Sequence, residues 1–496
     1  MATFDSQENT DNGLSAAILS DSEMKKQSKD VDSGTLQPEV DTSPVGGDTN
    51  SPVEGATASP VDGATASPVD SATTSPVEGA TASPVDGAKA SLVDGATASP
   101  VDDATASPVE GTTPSPAGVA TAAPISVVDK VSPAGDAKSN VNNDTVQRIL
   151  GTIFGQCTGD TIGLLTEFLT KKECETYYKT VKKDLEFFHK VIVCDGHRTR
   201  WKVGDWTDDS DQMILILLSL IEKQGKVDVF DYGRRIKNWS QKGFAELGDF
   251  VGMGQGKTTL TVLRNPEYVN DPHAAADLVW TANGKVMAPN GAVMRTSILG
   301  VHMYEDIDLV VKNAIAIART THADPRCQAS AVAVCVAIAL LLQRQPKHLD
   351  KKGNYNIKAI ISDCYDHASK CLETEKEKKE LKTYLKCTKL KDLKLDESQK
   401  IGYTYKSMGS AFWALKQTNF REAITEIVME GGDADSNACV AGAVLGCKYG
   451  VGSIPSCWTH KLLHKEWLEA IIDRYFRMMA EVYGIDFTPY WTGHLS

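Results

Sequence analysis

An eight-residue tandem repeat over residues 51–122 is the feature that most constrains what this chain can fold into. The unit is SPV(D/E)GATA, and valine is the only sizeable apolar side chain in it. So little apolar surface cannot offset the conformational entropy lost when a chain becomes ordered. We therefore predict a disordered, acidic tail over residues 1–140, which is either a phosphorylatable Ser-Pro spacer or a neutral, solubilising expansion.

Charge and aromatic content change at the end of this tail. Residues 1–140 carry 21 acidic and 6 basic side chains and one aromatic residue, Phe4, whereas the whole chain has a net charge of −13. Residues 141–496 are therefore close to neutral, and we predict that they form the folded domain. A nearly neutral domain offers no electrostatic reason to expect binding to nucleic acid or to a membrane surface.

The cysteines indicate a reducing compartment. All 11 lie between Cys157 and Cys457, and none forms a Cys-x-x-Cys pair. This scatter argues against a disulfide framework and against a structural zinc site. Because the N-terminus also lacks the features of a signal peptide, we expect the protein in the cytoplasm or the nucleus.

Hydrophobic periodicity beyond residue 140 predicts an all-α domain. The apolar run Ala329–Leu342 has 14 residues, fewer than the ~20 needed to span a bilayer, and is predicted to be a buried core helix. The stretch Lys370–Lys400 is predicted to be an exposed helix pair, since its acidic and basic residues interleave. The predicted helices are Asp144–Cys157, Lys171–His189, Ser210–Lys223, Asp306–Thr320, Pro325–Gln343, Glu375–Lys386, Gly402–Lys416, Phe420–Met429, Asn437–Tyr449 and Lys461–Val482.

Two acidic clusters, Thr207–Asp211 and Asp433–Ser436, each stand just before a helix-forming run. One interpretation is that they are helix caps, since carboxylates are favoured at helix N-termini. Several acids in one turn, however, repel one another unless a cation is bound. All the donors are oxygen atoms, which suits Mg²⁺, Mn²⁺ or Ca²⁺ better than zinc. The sequence therefore favours a hard-metal site, with caps as the alternative.

Two further motifs are rejected because residues that each motif requires are missing. The segment Asp433–Asn437 begins like an EF-hand loop, but Ala438 and Val444 replace the glycine and the bidentate glutamate of that loop. The segment Gly252–Thr258 resembles a P-loop, but Val251 stands where the first glycine is needed. This glycine-rich turn can still present backbone N–H groups to a phosphate.

Five ordered motifs together resemble the ADP-ribosylglycohydrolase family. They are GTIFGQCTGDTIG, GDWTDDSDQM, PNGAVMR, TTHADP and GGDADSNACVAGAVLGCKYG, running from Gly151 to Gly450, and IGYTYKSMGSAFWAL is also similar to the family. The resemblance implies a compact multi-helix domain that leaves the tail outside.

The resemblance also implies two bound divalent cations, Mg²⁺ or Mn²⁺. Ser436 stands where many members have threonine, which preserves a hydroxyl oxygen, and Asp211 is expected outside the ligand set. The implied metal ligands are Thr207, Asp208, Asp209, Asp433, Asp435 and Ser436.

Catalytic and substrate-binding residues follow from the same resemblance. Glu167 matches a mobile gate of some members, and its alternative interpretation is an ordinary surface glutamate. His322 matches a histidine near the ligand, and its alternative is a structural role. The implied catalytic residues are Asp208, Asp209, Asp435 and Glu167. The implied substrate-binding residues are Gly252, Gly254, Asn290, Gly291, Ala292 and His322.

The implied reaction is hydrolysis of the bond between ribose C1 of ADP-ribose and an acceptor. The substrate would be an ADP-ribosylated protein or a small ADP-ribose conjugate. The acceptor remains open between arginine, serine, a nucleic-acid end and O-acetyl-ADP-ribose. The alternative function is that of a non-catalytic relative, either an ADP-ribose-binding protein or a structural protein like the lens crystallins that resemble this family.

Overall fold

A computed structural model describes residues 139–494. Apart from Ser139 and Asn140, the predicted repeat tail lies outside these residues. The described part of the chain contains eighteen α-helices and one pair of two-residue parallel strands, which confirms the all-α prediction. The strands are β1 (Ser139–Asn140) and β2 (Ile485–Asp486). The helices are α1 (Asn143–Gly163), α2 (Lys171–Tyr178), α3 (His189–Ile192), α4 (Asp208–Glu222), α5 (Val229–Lys242), α6 (Lys257–Leu263), α7 (Pro272–Ala282), α8 (Ser297–Val301), α9 (Ile307–Ala318), α10 (Pro325–Gln343), α11 (Ile357–Ala368), α12 (Glu375–Leu385), α13 (Thr404–Ala414), α14 (Phe420–Val428), α15 (Ala434–Tyr449), α16 (Ser456–Thr459), α17 (Lys465–Tyr483) and α18 (Thr488–His494).

Helices α1, α10 and α15 are buried along most of their length. The predicted core helix is confirmed, since every residue of Ala329–Leu342 is buried in α10. By length and composition alone, α10 is the one helix of residues 139–494 that could cross a membrane, and 83% of its apolar window is buried inside the fold. Its uninterrupted apolar surface is thus accounted for by packing against other helices.

Glycines set the distance between α1 and α15, which run antiparallel. A Cβ atom added at Gly155 would lie 2.2 Å from the carbonyl oxygen of Gly442. One turn further along α1, a Cβ atom at Gly159 would lie 2.2 Å from the carbonyl oxygen of Ala438. The two backbones can approach this closely only because no side chain separates them. The C-terminal end of α1 is thereby placed against the N-terminal end of α15, where Asp435 lies.

Three helix predictions were wrong in extent. The predicted helix Asp144–Cys157 continues to Gly163 as α1. The predicted helix Lys171–His189 ends at Tyr178, because the buried residues Leu185 and Phe187 draw the following chain into the core. The predicted pair within Lys370–Lys400 is one helix, α12, followed by a 3-10 turn at Leu390–Leu393. Sequence reasoning also missed α5, α6, α7, α8, α11, α16 and α18.

Candidate active site

The acids at the start of α4 do not cap that helix with their side chains. The capping group is the Thr207 hydroxyl, which accepts a hydrogen bond from the Asp209 N–H at 3.4 Å. The Asp208 carboxylate instead accepts from Gln212 Nε2 at 2.6 Å. Asp433, at the N-cap position of α15, makes no side-chain capping bond. Capping therefore does not explain the carboxylates of these two clusters.

Asp160, to which sequence reasoning assigned no role, organises the first cluster from α1. Its Oδ1 accepts from the Thr207 hydroxyl at 2.9 Å and from the Thr207 N–H at 3.1 Å. Its Oδ2 accepts from the Ser210 hydroxyl at 2.7 Å and from the Ser210 N–H at 3.0 Å. One buried carboxylate thus fixes the first turn of α4 against α1. The available sequence signal was an aspartate in the glycine- and threonine-rich segment that follows the predicted helix Asp144–Cys157.

A backbone pairing joins Glu167 to the second cluster. The Phe168 N–H donates to the Gly432 carbonyl at 2.6 Å, and the Gly432 N–H donates to the Leu169 carbonyl at 2.8 Å. As a result, carboxylate oxygens of Glu167, Asp433 and Asp435 lie within 4.8 Å of one another. The turn after α1 and the turn before α15 therefore bring carboxylates from distant parts of the chain to one point.

Two residues that sequence reasoning missed hold the Glu167 turn. His197 Nε2 lies 2.5 Å from Glu167 Oε2. Arg198 is buried and donates from Nε to the Leu165 carbonyl at 2.9 Å and from Nη2 to the Glu167 carbonyl at 2.5 Å. The sequence shows that the segment containing them is basic, but it does not indicate which carboxylate the segment would contact.

Burial and mutual repulsion raise the pKa of the clustered aspartates. Burial raises the pKa of Asp160 to about 7 and that of Asp433 to about 6. The pKa values of Asp208, Asp209 and Asp435 are raised well above the usual value, first by burial and then by neighbouring carboxylates. Carboxylates held this close favour a bound cation or a shared proton.

Two of these carboxylates have an oxygen atom with no partner. Asp209 Oδ2 and Asp435 Oδ1 are buried and accept no hydrogen bond from the described residues. Buried polar atoms are normally satisfied, so each exception requires an explanation. Carboxylate oxygens are the donors that hard divalent cations prefer, and these two atoms therefore fit a metal site.

A cavity of about 280 Å³ lies over the cluster. The predicted site residues that line it are Glu167, Asp208, Asp209, Gly254, Asn290, Gly291, His322, Asp433, Asp435 and Ser436. Three predicted residues do not line it. Thr207 is bonded to Asp160, Gly252 lines an adjoining cleft, and Ala292 lies in a small buried cluster with Ala288 and Ala331. The roles assigned to all these residues stay predictions.

The loop that contains Asn290 and Gly291 forms one wall of the cavity. Asn290 Nδ2 donates to Asp433 Oδ2 at 2.6 Å, so this side chain positions a carboxylate. A Cβ atom at Gly291 would lie 2.8 Å from His322 Nε2. His322 is buried, and its pKa is lowered well below the usual value by burial and by the nearby Arg295. A neutral imidazole therefore borders the cavity beside the loop backbone.

Asp211 lies apart from the cavity-lining carboxylates. Its carboxylate accepts from Trp206 Nε1 at 2.8 Å and from Trp239 Nε1 at 3.0 Å. It does not line the cavity. Its role is to join two buried indole rings.

The sequence model of the family described as ADP-ribosylglycohydrolase matches residues 142–484. The chain belongs to the ADP-ribosylglycohydrolase family. This confirms the resemblance of the five motifs and the predicted enzyme class. The acidic cluster and its cavity lie within the matched residues of this ADP-ribosylglycohydrolase.

Curated relatives of this ADP-ribosylglycohydrolase are distant but matched over most of their length. "ADP-ribosylarginine hydrolase Tri1" of Serratia proteamaculans is 24% identical over 341 residues, covering 68% of this chain and 81% of the relative. "ADP-ribosyl-[dinitrogen reductase] glycohydrolase" of Rhodospirillum rubrum is 26% identical over 350 residues, covering 68% and 97%. "ADP-ribosylhydrolase ARH3" of Xenopus tropicalis is 22% identical over 345 residues, covering 63% and 90%.

A solved structure has the same fold. That structure is of a protein named "ADP-ribosylglycohydrolase-related protein complex". Its sequence is 24% identical to the present chain, and the TM-score between the two structures is 0.50. The match covers 68% of this chain and 99% of that chain.

Proposed function

We propose that this ADP-ribosylglycohydrolase cleaves the glycosidic bond between ribose C1 of ADP-ribose and an acceptor at a centre of two divalent cations, Mg²⁺ or Mn²⁺. The observation that carries the proposal is the pair of buried carboxylate oxygens on Asp209 and Asp435 without a partner in the described part of the chain. Such atoms are costly unless a positive charge or a proton compensates them.

All the side chains that would hold the cations offer oxygen. The Thr207 hydroxyl donates its hydrogen to Asp160, so a lone pair of its oxygen remains available. When bound, divalent cations would supply Lewis acidity and positive charge beside the reacting ribose. The proposed ligands are Thr207, Asp208, Asp209, Asp433, Asp435 and Ser436.

The chain's own residues would handle the proton. Asp208, Asp209 and Asp435 line the cavity. A carboxylate placed beside the reacting water can accept its proton as a general base. One of these three would take a proton from the attacking water as the bond between ribose C1 and the acceptor breaks, and would return that proton to the released acceptor atom. Glu167 would act as the gate where the cavity meets the adjoining cleft.

Substrate recognition would use backbone groups at two loops. Gly254 and Gly291 line the cavity without side chains of their own, which leaves room for a diphosphate beside backbone N–H groups. The substrate would be an ADP-ribosylated protein or a small ADP-ribose conjugate. The alternative, a non-catalytic ADP-ribose-binding or crystallin-like protein, has no need for a buried carboxylate cluster that costs stability without metal.

The test is release of free ADP-ribose from arginine-linked and serine-linked ADP-ribosyl peptides, with Mg²⁺, with Mn²⁺ and with EDTA. We expect release that EDTA abolishes and that the double variant Asp208→Asn, Asp435→Asn lacks. The matched control is Asp271→Asn, Asp306→Asn, which removes two carboxylates from helix N-caps where asparagine serves equally well. No release from any substrate, with metal still bound, would shift the assignment to an ADP-ribose-binding relative.

We also propose that the folded domain acts without the repeat tail, in the cytoplasm or the nucleus. The composition of the tail supports this, since it offers too little apolar surface to contribute to a core. Deleting residues 1–138 keeps strand β1 and should leave cooperative unfolding and hydrolysis intact. An unfolded or inactive truncated protein would contradict the proposal.

A further inference from the structure

A second cleft, of about 700 Å³, adjoins the active-site cavity. The two spaces share Glu167, Phe168 and Gly254 among their lining residues. A Cβ atom at Gly254 would lie 2.6 Å from Asp208 Oδ1, so this shared boundary is at the carboxylate cluster itself. The cleft therefore opens directly from the place where the proposed reaction occurs.

The lining of this cleft is basic. Arg200, Lys237 and Arg264 contribute three positive charges, and its only carboxylate is the one it shares with the active-site cavity. None of the three cations forms an ion pair with a carboxylate among residues 139–494. By contrast, Arg235 on the same helix as Lys237 is paired with Asp231 at 2.6 Å. Unpaired cations that converge on one concave surface favour an anionic ligand.

The position of His197 connects this basic surface to the active site. Its Nε2 atom faces Glu167, and its Nδ1 atom lies 2.7 Å from Arg200 Nη2. The Phe168 side chain is 56% exposed, and its ring centroid lies 4.8 Å from that of His197. A ligand in the cleft would therefore contact the same residues that hold Glu167.

A different space is better suited to the adenosine of the substrate. A cavity of about 570 Å³ adjoins the active-site cavity at Thr258, Pro289 and Gly402, and it has no lining residue in common with the basic cleft. The aromatic rings of Tyr384 and Tyr403 line it, and rings of this kind stack on nucleobases. The basic cleft is then left for the other end of the substrate, the acceptor.

We propose that the basic cleft binds the acceptor side of the substrate, and that the acceptor is a polypeptide segment with acidic residues beside the ADP-ribosylated position. This inference rests on the proposed function and adds its substrate class. An arginine acceptor would place a further positive charge among three others, which is unfavourable. Carboxylates of an acidic peptide would complement them.

The experiment compares serine-linked ADP-ribosyl peptides with acidic, neutral and basic flanks, using the full chain. We expect kcat/KM for the acidic peptide to exceed that for the neutral one by about fivefold, as two or three exposed charge pairs allow, and the preference to shrink at high salt. The double variant Lys237→Gln, Arg264→Gln should reduce this ratio to about one. The control Lys226→Gln, Lys242→Gln removes the same charge from exposed positions that do not line the cleft and should retain the ratio.

Inhibition by free ADP-ribose separates the acceptor from the diphosphate. If the cleft holds the acceptor, the Lys237→Gln, Arg264→Gln variant keeps the inhibition constant of the original protein. Three results would overturn the inference while leaving the proposed function intact. They are weaker inhibition of this variant by free ADP-ribose, equal rates of the original protein on acidic and neutral peptides, and faster hydrolysis of an ADP-ribosylated oligonucleotide end than of the acidic peptide. Absence of all hydrolysis would instead contradict the proposed function. In that case, anisotropy titration of the same peptides, made fluorescent, would decide whether the cleft prefers acidic flanks.

Discussion

His197 Nε2 lies 2.5 Å from Glu167 Oε2, and this contact holds the carboxylate beside Asp433 and Asp435. It matters because Glu167 stands in a turn after α1 and has no helix of its own to fix it. The imidazole is therefore a positioning group for a carboxylate at the boundary between the active-site cavity and the basic cleft.

The first prediction concerns this contact. His197→Ala should lower kcat about tenfold, since hydrogen bonds to charged groups contribute about 1.5–3 kcal/mol. His197→Gln, which keeps a donor, should recover part of the loss. His348→Ala serves as control, because His348 also contacts a carboxylate, that of Asp363 at 2.8 Å, but lines none of the cavities described above. Equal losses in the two alanine variants would show a structural effect only.

The second prediction concerns Asp160, which accepts four hydrogen bonds from Thr207 and Ser210. Asp160→Asn replaces one acceptor oxygen with a donor that would face other donors. We expect a loss of about 2–5 kcal/mol in the free energy of unfolding and about 10- to 100-fold weaker Mn²⁺ binding, measured by urea unfolding and calorimetry. The control is Asp228→Asn, at the N-cap of α5, where asparagine caps a helix as well as aspartate does. It should change the free energy of unfolding and the affinity for Mn²⁺ only slightly.

The third prediction uses two glycines with nearly the same positive φ angle. Gly254 has φ +85° and would place a Cβ atom 2.6 Å from Asp208 Oδ1, whereas a Cβ atom at Gly248, with φ +83°, would meet no described residue within 4 Å. Alanine at either position should cost about 1 kcal/mol of stability through backbone strain. Only Gly254→Ala should also displace the Asp208 carboxylate and lower kcat/KM, which we expect by more than about tenfold. Similar kinetics in the two variants would contradict the assigned role of the turn.

The fourth prediction concerns the contact between α1 and α15. Gly155→Ala would place a Cβ atom 2.2 Å from the Gly442 carbonyl oxygen and force the helices apart. Overpacking of this kind costs about 1–3 kcal/mol or more, and it should also weaken metal binding, because the contact sets the distance between Asp160 and Asp435. The control is Gly196→Ala, where an added Cβ atom would have none of residues 139–494 within 4 Å outside its chain neighbours. Thermal unfolding and Mn²⁺ titration measure both effects.

The fifth prediction concerns pH and metal together. Burial raises the pKa of Asp433 from 3.8 to about 6 and that of Asp160 from 3.8 to about 7. Carboxylates with raised pKa values stabilise the fold below pH 3.8, and this stabilisation is lost as pH rises through the folded-state value. Between about pH 5 and pH 8, the contribution of these groups to the stability of the metal-free protein should therefore decrease with rising pH.

Mg²⁺ should reverse this trend, because it binds deprotonated carboxylates. The increase in Tm on adding Mg²⁺ should be larger at about pH 8 than at about pH 6, and should correspond to about 3 kcal/mol at a concentration 100 times Kd. The Asp208→Asn, Asp435→Asn variant should show no such increase. The same Mg²⁺ effect at both pH values would contradict a carboxylate cluster as the binding site.

Much of the helical architecture was predictable from local pattern. The helix Pro325–Gln343 was predicted with its observed bounds, because a proline at its start and a long apolar run leave little choice of structure. Helix α11 was missed although Ile357, Ile360, Ile361 and Cys364 have helical spacing. The break after Tyr178 was not predictable, since it depends on where Leu185 and Phe187 find space in the core.

By itself, the sequence determined the helical class, the acidic clusters at helix starts and the family, because each follows from residues close together in the chain. Only the tertiary structure decided that Asp160 organises Thr207 and that His197 meets Glu167. It also decided that three cations line one cleft beside these carboxylates. The physical reason is that hydrogen bonds and charge interactions depend on distances of a few ångströms, and only the packing of helices and turns sets those distances for residues far apart in the chain.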